Sequence, residues 1–282
     1  MTKEKKVLVC LLIVGESEPL SSLIINSITE NFRGTNLVGF INRRDIDGLY
    51  FPPDTLFLDL SSEFQAENRA YVGFQTKSFY EIVQLKWSLI LNAMNLGYET
   101  IIYSDLDVVW LRDAAGAVQE TFEKFSEVKI LIQSFTRGPV LPCLCMGFVA
   151  IRADQQTRDF IELCRDTHRN LFLQNPMIGD DEVVSKLFTD LNYPSWIREL
   201  PQSTFPTGNL YPLFLKHYRF RRMEPIKPYL FHFNFVIGMD NKLLLWMYLR
   251  IFGKFNITSL GALNSLKVFR RIVQKRLINK SR

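Results

Sequence analysis

Two aspartates in the segment Tyr103-Ser-Asp105-Leu-Asp107-Val-Val-Trp110 have the spacing of a pair of metal ligands. In an extended segment residues i and i+2 point the same way, so both carboxylates can face one cation. Hard anionic oxygens suit Mg²⁺ or Mn²⁺, whose other ligands would be water and substrate phosphate oxygens. A turn or cap is the alternative, because a bare Asp-x-Asp is common. The apolar residues on both sides favour the metal site, since carboxylates held between apolar elements are usually paired or metal-bound.

Two residues distant from this segment are candidates to complete the site. Lys86 follows Ile82 by four residues on the apolar stripe of a predicted helix. It either snorkels at the edge of the stripe or reaches into a cleft to meet a phosphate or an acid. His232 lies among aromatic residues, and it is either a satisfied core histidine or a neutral imidazole in the metal sphere. In the second case Gly238 would allow close backbone approach and Lys242 would neutralise a diphosphate.

The acidic run Asp180-Asp181-Glu182 also has two interpretations. An N-cap followed by acids in the first helical turn is favoured by the helix dipole. The rival is a cleft carboxylate that contacts sugar hydroxyls. The sequence alone does not separate them.

The elements that must position these residues alternate between strands and helices. Apolar runs predict strands, and amphipathic runs predict helices. The strands are expected at residues 7–14, 37–41, 56–58, 100–103, 129–133 and 146–152. Two helices are expected at residues 18–32 and 78–95. Two more are expected to begin at caps formed by Asp154 and Asp180 and to end at about residues 172 and 187. This alternation indicates an α/β fold with a mainly parallel sheet and helices on both faces. Ligands bind such sheets at the carboxyl ends of strands, where the Asp105 loop lies.

Length and composition indicate one large α/β domain with an appendage. The chain has 282 residues, 47% of them hydrophobic, which suffices for a substantial core. We expect neither a secretory signal nor a membrane span, because the apolar run at residues 7–14 is short and acids follow it. The run at residues 243–252 contains Arg250 and is shorter than the ~20 residues that a spanning helix needs. Four irregularly spaced cysteines predict reduced thiols in the cytoplasm and no disulfide scaffold.

The basic charge of the chain is concentrated in its last residues. Residues 241–282 hold ten basic residues and no acid, so residues 1–240, with 24 basic and 29 acidic residues, carry a net charge of −5. This distribution argues against a nucleic-acid-binding body. We predict a catalytic domain at residues 1–245 and a basic amphipathic helical tail at residues 246–282. The tail is either a peripheral anchor on the inner face of an anionic membrane or a solvated helix packed on the domain.

Taken in order, these features resemble the nucleotide-diphospho-sugar transferases of the GT-A fold. The resemblance is to the branch typified by plant rhamnogalacturonan and arabinogalactan glycosyltransferases, and more distantly to glycogenin and bacterial lipo-oligosaccharide galactosyltransferases. It covers residues 75–245 and is carried by Lys86-Trp, Leu96-Gly97-Tyr, Ile-Tyr-Ser-Asp105-Leu-Asp107-Val-Val-Trp-Leu-Arg112-Asp113, Gly147-Phe-Val-Ala-Ile-Arg152, Asp181-Glu182, Phe205-Pro-Thr-Gly208-Asn, and His232, Gly238 and Lys242.

The resemblance implies roles for the residues that match. They divide into ligands of Mn²⁺ or Mg²⁺, residues that contact the nucleotide and its diphosphate, and residues of the sugar site with a catalytic role. The metal ligands are Asp105, Asp107 and His232. The nucleotide and its diphosphate are contacted by Val14, Gly15, Asp105, Leu106, Gly238 and Lys242. The residues of the sugar site with a catalytic role are Asp181 and Lys86.

Three positions depart from the pattern of the branch. Cys145-Met-Gly147 stands where Asn-x-Gly is common, so a sugar-contacting amide is missing. Glu182 replaces a glutamine and alters the charge near the donor. Lys242 follows Gly238 by four residues, a wider spacing than in glycogenin, and this weakens its predicted phosphate role.

The resemblance implies transfer of a sugar from a nucleoside diphosphate sugar to a glycan or lipid-linked hydroxyl, with retention of anomeric configuration. A sugar-1-phosphate nucleotidyltransferase is the alternative enzyme, but it should carry a Gly-rich basic phosphate loop after the first strand. Here that position is acidic and has the single glycine Gly15. A non-catalytic sugar-nucleotide or glycan-binding protein is the alternative from another class, and the set Asp105, Asp107 and His232 speaks against it.

Overall fold

The apolar runs of the sequence form the strands of a central mixed sheet. The computed structural model describes residues 6–15, 20–64, 76–136, 142–207, 228–234, 242–243 and 246. Within these residues the strands are β1 (Val7–Ile13), β2 (Thr35–Phe40), β3 (Leu56–Asp59), β4 (Thr100–Ser104), β5 (Val108–Trp110), β6 (Ile130–Thr136), β7 (Pro142–Arg152), β8 (Ile197–Glu199) and β9 (Leu230–His232). Seven of them form one sheet in the order β3-β2-β1-β4-β7-β6-β8, and β5 pairs with β9 in a separate ribbon.

The sheet is parallel except around β7. The pairs β1–β2, β1–β4, β2–β3 and β6–β8 are parallel, whereas β7 is antiparallel to both β4 and β6. The connection between β6 and β7 is only a few residues long, which permits an antiparallel pair but is too short for a parallel crossover. The first half of β7 therefore lies at the same edge as the carboxyl ends of β1 and β4.

In the part of the chain that the structure describes, five α-helices cover the sheet, namely α1 (Leu20–Asn31), α2 (Lys77–Met94), α3 (Ala114–Lys124), α4 (Gln155–Gln174) and α5 (Asp180–Asp190). Thr76 caps α2 by accepting a hydrogen bond from the backbone of Phe79, and Asp154 caps α4 as predicted. The predicted cap of α5 is wrong by one residue. Gly179, in extended backbone, is the N-cap, and Asp180 is the first helical residue, with its carboxylate bonded to Lys86.

The alternation of side chains along the strands divides the core between the two faces of the sheet. Val9, Leu11 and Ile13 of β1 lie in one apolar cluster with α1 and α3. Leu8 and Cys10 lie in the other cluster with α2, α4 and α5. Helices therefore cover both faces, and the predicted α/β architecture with a mainly parallel sheet is confirmed.

The short elements β5, β8, β9 and α3 were not predicted. The first three span three residues each, which is too few for a periodic pattern to emerge. None of the helices within the described residues is both long enough and apolar enough to cross a membrane. The predicted basic tail lies outside the described residues except for Trp246, so the predicted domain boundary stays a prediction.

Candidate active site

Backbone hydrogen bonds hold the Asp105–Asp107 loop at the carboxyl end of β4. The Asp105 N–H donates to the carbonyl of Gly147 in β7 at 2.8 Å, and the Val108 N–H donates to the carbonyl of Asp105 at 3.1 Å. On the far side, the Phe233 N–H donates to the carbonyl of Asp107 at 2.9 Å. The loop is thus fixed to the main sheet at one end and to the β5–β9 ribbon at the other.

The ribbon brings His232 to the aspartates. Val108 pairs with His232 in the ribbon, so His232 lies opposite the residue that follows Asp107. Its Nε2 is 3.1 Å from Oδ1 of Asp107, and the side chain is only 2% exposed. One ligand atom each from Asp105, Asp107 and His232 lie within 4.8 Å of one another. The structure therefore brings together the three residues predicted to bind the metal.

These residues fit a divalent cation of the predicted kind. Two carboxylates and one imidazole supply three ligands of hard to intermediate character, which suit Mn²⁺ or Mg²⁺. Both aspartate side chains are partly exposed, at 25% for Asp105 and 15% for Asp107, so they face an accessible space as well as the protein. The remaining coordination positions of a cation are then open to water or phosphate oxygens.

Lys86 crosses from α2 to the aspartates and does not snorkel to the surface. Its Nζ lies 3.0 Å from each carboxylate oxygen of Asp105 and 2.7 Å from Oδ2 of Asp180. Burial disfavours the charged amine, but Asp105 and Asp180 outweigh it and raise the pKa of Lys86 well above its usual value. Tyr103 donates its hydroxyl to Oδ1 of Asp105 at 2.7 Å. Asp105 is thus held by two side chains before any ligand binds.

A second lysine contacts the other aspartate. Lys242 donates to Oδ2 of Asp107. Burial opposes ionisation of Asp107, but Lys242 and then His232 outweigh it, and the pKa of this carboxyl lies far below its usual value. Asp107 is therefore an anion at neutral pH. Two aspartates, two lysines and a histidine form a nearly charge-balanced cluster at this edge of the sheet.

Asp181 lies at the N-terminus of α5 and is bonded to the backbone of β7. Its Oδ1 accepts from the Met146 N–H at 2.7 Å. Burial and then the neighbouring Asp180 raise the pKa of Asp181 to about 7. Glu182, in contrast, caps its own helix by accepting from the Gly179 N–H at 3.3 Å. Within the acidic run the capping interpretation therefore describes Glu182, whereas Asp180 and Asp181 face the cluster.

The other predicted site residues lie at the same edge or outside the described residues. Val14 and Gly15 follow β1 directly, and Gly15 has φ +76°, a left-handed conformation that favours glycine. Leu106 packs against the apolar cluster that contains α1 and α3. Gly238 lies outside the described residues. The roles of all these residues toward a ligand stay predictions.

Three residues near the cluster were missed as site residues. Gln133 of β6 bonds to His232, Gly147 lies directly against the His232 ring, and Asp180 shares Lys86 with Asp105. Gln133 is a polar residue inside an apolar strand, and Gly147 is a glycine inside another. Both are signals in the sequence that these positions have a role beyond packing. Nothing in the sequence distinguishes Asp180 from an ordinary cap.

His168 is a buried structural residue. It accepts from the indole of Trp87 at 2.9 Å and contacts the carbonyl of Ile178 at 3.1 Å. His217 lies outside the described residues. Cys143 and Cys145 do not belong to the metal-ligand group, and both are free thiols.

Comparison with known proteins relates the chain to glycosyltransferases. A UDP-D-xylose:L-fucose alpha-1,3-D-xylosyltransferase of Arabidopsis thaliana is 24% identical over 186 residues, which are 60% of this chain and 46% of that protein. A UDP-galactose:fucoside alpha-3-galactosyltransferase of Dictyostelium discoideum is 25% identical over 244 residues, which are 78% of this chain and 32% of that protein. The chain thus spans less than half the length of each of these relatives.

Solved structures share the fold. Mouse xyloside xylosyltransferase 1 in its apo form has a TM-score of 0.52 and 9% identity, over 80% of this chain and 97% of that one. A glycosyltransferase involved in the glycosylation of the major capsid of PBCV-1 has a TM-score of 0.52 and 10% identity, over 84% of this chain and 97% of that one. These likenesses confirm the predicted GT-A-like fold.

The family assignment comes from the sequence itself. The model of the nucleotide-diphospho-sugar transferase family matches residues 53–245, which contain the whole cluster around Asp105, Asp107 and His232. The resemblance stated from the motifs is therefore confirmed, and this chain belongs to the nucleotide-diphospho-sugar transferase family.

Proposed function

We propose that the protein is a metal-dependent glycosyltransferase that moves a sugar from a nucleoside diphosphate sugar to a hydroxyl of a glycan or lipid-linked acceptor. The observation that carries the proposal is the cluster of Asp105, Asp107 and His232, whose ligand atoms lie within 4.8 Å of one another between two lysines. The charge of a diphosphate is neutralised by a divalent cation and by nearby ammonium groups. This cluster has ligands for a cation, and Lys86 and Lys242 supply the ammonium groups.

The residues of the cluster divide the work of binding the donor. Asp105, Asp107 and His232 hold Mn²⁺ or Mg²⁺, which when bound supplies a Lewis acid to the two phosphates. Lys242 and the backbone at Gly238 contact the diphosphate, and the Lys242 ammonium stabilises the negative charge that develops on the leaving group. This ligand set suits both Mn²⁺ and Mg²⁺.

Lys86 and Asp181 act on the sugar side of the cluster. Lys86 contacts both oxygens of Asp105 and therefore fixes this carboxylate in place beside the proposed cation site. Asp181, anchored through Met146, accepts hydrogen bonds from sugar hydroxyls and so orients the anomeric centre toward the acceptor. The transfer passes through an oxocarbenium-like transition state and retains the anomeric configuration. No residue is proposed as the nucleophile.

Two relatives narrow the substrates that should be tried first. Their names give UDP-xylose and UDP-galactose as donors, and fucose or a fucoside as acceptors. We propose a UDP-linked pentose or hexose as donor. The backbone of Val14 and Gly15, after the first strand, and of Leu106, in the Asp105–Asp107 loop, would hold the nucleoside. A fucose-containing glycan is the first acceptor to test.

The basic tail at residues 246–282 is proposed to hold the enzyme at an anionic membrane surface. The nine basic residues of the tail, with no acid among them, support this role, because each basic residue near such a surface adds attraction. Attachment there would suit a lipid-linked acceptor. A cytoplasmic location on the inner face of a membrane is part of the same proposal.

The proposal is tested with UDP-xylose and UDP-galactose, a fucoside acceptor, and Mn²⁺ or a chelator. We expect acceptor-dependent release of UDP that requires the cation. Asp105→Ala and Asp107→Ala should each lower the rate by about 100-fold or more, because charge stabilisation of the leaving group is lost. Asp113→Asn is the matched control, since Asp113 only caps α3 nearby.

Three outcomes would contradict the proposal. If both alanine variants fold and transfer sugar as well as the wild type, the cluster is not the metal site. If the protein instead makes pyrophosphate from a nucleoside triphosphate and a sugar 1-phosphate, it is a nucleotidyltransferase. Binding of sugar nucleotides without turnover over a panel of donors and acceptors would identify a binding protein.

A further inference from the structure

Gln133 is a fully buried polar side chain that the proposed mechanism does not use. It lies in β6, between Ile132 and Ser134, and is 0% exposed. Its Oε1 is 3.0 Å from Nδ1 of His232, on the side of the ring opposite to Asp107. A buried amide is costly unless all its polar atoms are bonded, so its partners define what it does here.

The partners of the amide determine which atom faces the histidine. Nε2 of Gln133 lies 3.1 Å from the carbonyl of Phe205 and 3.3 Å from that of Pro206. Carbonyl oxygens only accept hydrogen bonds, so the NH₂ group must point to them and Oε1 must point to His232. The reversed amide would place an oxygen against two carbonyl oxygens. Nδ1 of His232 therefore carries the proton and donates to Gln133.

We infer that Gln133 is a positioning residue that keeps a proton on Nδ1 of His232, so that Nε2, the nitrogen that faces Asp107, is the one that can bind a cation. A neutral imidazole binds a metal only through its unprotonated nitrogen, and the hydrogen bond at the other nitrogen sets which one that is. The inference rests on the proposed function, because it concerns how the proposed metal ligand is prepared.

The backbone around Gln133 is built to aim this side chain. The β6–β7 pairing breaks its register between Ile132 and Gln133, with Ile132 opposite Val149 but Gln133 opposite Cys145. Such irregularities re-aim side chains next to functional sites. The carbonyl of Pro206 also accepts from the backbone N–H of His232 at 3.2 Å, so one loop oxygen fixes both residues.

A competing partner makes the role of Gln133 measurable. Sγ of Cys145 lies 3.7 Å from the same Nδ1 of His232. A thiol is a weak donor, so Cys145 can satisfy an unprotonated Nδ1 once the acceptor at Gln133 is removed. The proton would then move to Nε2, where Asp107 accepts it at a nitrogen that the cation needs.

The experiment compares the wild type with Gln133→Leu, Gln133→Glu and the control Gln202→Leu. Gln202 also ties β6 to the following loop, because its Nε2 donates to the carbonyl of Ser134 at 3.0 Å, but it does not contact His232. The tautomer is measured by ¹⁵N–¹H correlation spectra of ¹⁵N-histidine protein, without metal and with Mg²⁺, and His232 is assigned with a His232→Asn variant. Mn²⁺ affinity is measured by the electron paramagnetic resonance signal of free Mn²⁺.

We expect the wild type and Gln202→Leu with Mg²⁺ bound to show the Nδ1–H tautomer, and we expect them to bind Mn²⁺ with the same affinity. Gln133→Leu should shift the proton to Nε2 and weaken Mn²⁺ binding by about 10- to 100-fold. Gln133→Glu keeps an acceptor at Nδ1, and in its protonated form its second oxygen can still donate to the loop carbonyls, so it should retain the tautomer and most of the affinity. If Gln133→Leu does not fold, Gln133→Glu decides the test. A shift of the proton to Nε2 in Gln133→Glu overturns the inference.

The inference is overturned if a folded Gln133→Leu keeps the Nδ1–H tautomer or binds Mn²⁺ as tightly as the wild type. A wild type that binds no Mn²⁺ would instead contradict the proposed function. In that case the proton on Nδ1 of His232 in the metal-free protein, present in the wild type and absent in Gln133→Leu, still decides whether Gln133 orients His232, so the two failures are distinguishable.

Discussion

A Cβ atom on Gly147 would lie 2.0 Å from Cε1 and 2.6 Å from Nε2 of His232. The imidazole therefore occupies the space that any other residue at position 147 would fill. The carbonyl of the same glycine accepts from the Asp105 N–H at 2.8 Å. Gly147 thus positions one proposed metal ligand by a hydrogen bond and another by the absence of a side chain.

Gly147→Ala should displace His232 and disable the cation site. We expect Mn²⁺ affinity to fall by about 10-fold or more, comparable to the loss of an orienting partner. Overpacking of this buried position should also lower the free energy of unfolding by about 1–3 kcal/mol. Isothermal titration with Mn²⁺ and urea unfolding measure the two effects.

Gly179→Ala is the matched control for this substitution. Gly179 lies at the start of α5, and a Cβ there would meet Cε1 of Tyr80 at an ordinary 3.6 Å. Unchanged Mn²⁺ affinity in Gly147→Ala would show that His232 is not a ligand or that it moves at no cost.

Lys86→Met should destabilise the metal-free protein by about 3–5 kcal/mol, because it leaves buried carboxylates without their cation. Lys86 bridges Asp105 and Asp180 and is only 6% exposed. Mn²⁺ should recover part of this loss, since it restores positive charge at Asp105. Urea unfolding with and without Mn²⁺ measures both.

Lys77→Met, which removes an exposed ion pair with Glu81 on the same helix, should change stability little. The double variant Lys86→Met with Asp180→Asn should be more stable than Lys86→Met alone, because one unpaired charge is gone. Equal stability of the single and double variants would contradict the charge argument.

The stability of the metal-free protein should depend on the protonation of Asp181. Burial and Asp180 raise the pKa of this carboxyl from 3.8 to about 7 in the folded protein. The folded state therefore holds a proton that the unfolded state releases. The stabilisation is fully present below the unfolded pKa of 3.8 and is lost as pH rises through about 7, with a limiting slope of about 1.4 kcal/mol per pH unit.

Asp181→Asn should flatten this dependence, because the amide carries no ionisable proton and its oxygen still accepts from Met146. Urea unfolding at several pH values between about 5 and 8 measures it. Asp190→Asn, at the exposed end of α5 where Asp190 pairs with Lys186, is the control. A profile that is the same in Asp181→Asn and the wild type would assign the titration elsewhere.

A chain truncated after Ser259 should lose affinity for vesicles that contain anionic lipid. The truncation removes Lys267, Arg270, Arg271, Lys275, Arg276, Lys280 and Arg282, and each basic residue near the surface contributes about 1 kcal/mol. Cosedimentation with anionic and with neutral vesicles measures the effect, and catalysis on a soluble acceptor is the control for folding. Equal partitioning of the two chains would exclude the tail as the anchor.

The sequence predicted the carboxylates of the site more completely than their surroundings. Asp105 and Asp107 were found because two like charges after an apolar strand need a cation or partners, which is a local property. Lys86 remained undecided because its second partner, Asp180, lies 94 residues further along the chain. The antiparallel direction of β7 was not predicted, since an apolar run has no direction until its connection is known.

Some polar residues of the site stand out in the sequence, but their neighbours along the chain do not show which residues they contact. Gln133 interrupts an apolar strand, but its partners His232, Phe205 and Pro206 come together only in the folded chain. Asp180 has the residue type of a helix cap, yet it lies one position inside the helix and bonds to Lys86. The fold class followed from periodicity, whereas these details follow from tertiary contacts.

The pairing of β5 with β9 has a consequence for how the protein folds. It joins Val108 to His232 across more than a hundred residues of chain, so it is among the contacts of highest sequence separation. Closing so long a loop costs entropy before any contact compensates for it, and such contacts tend to form late. Because the third proposed ligand arrives only with this pairing, tight Mn²⁺ binding would mark completion of folding, and a nascent chain would acquire it only after β9 has been synthesised.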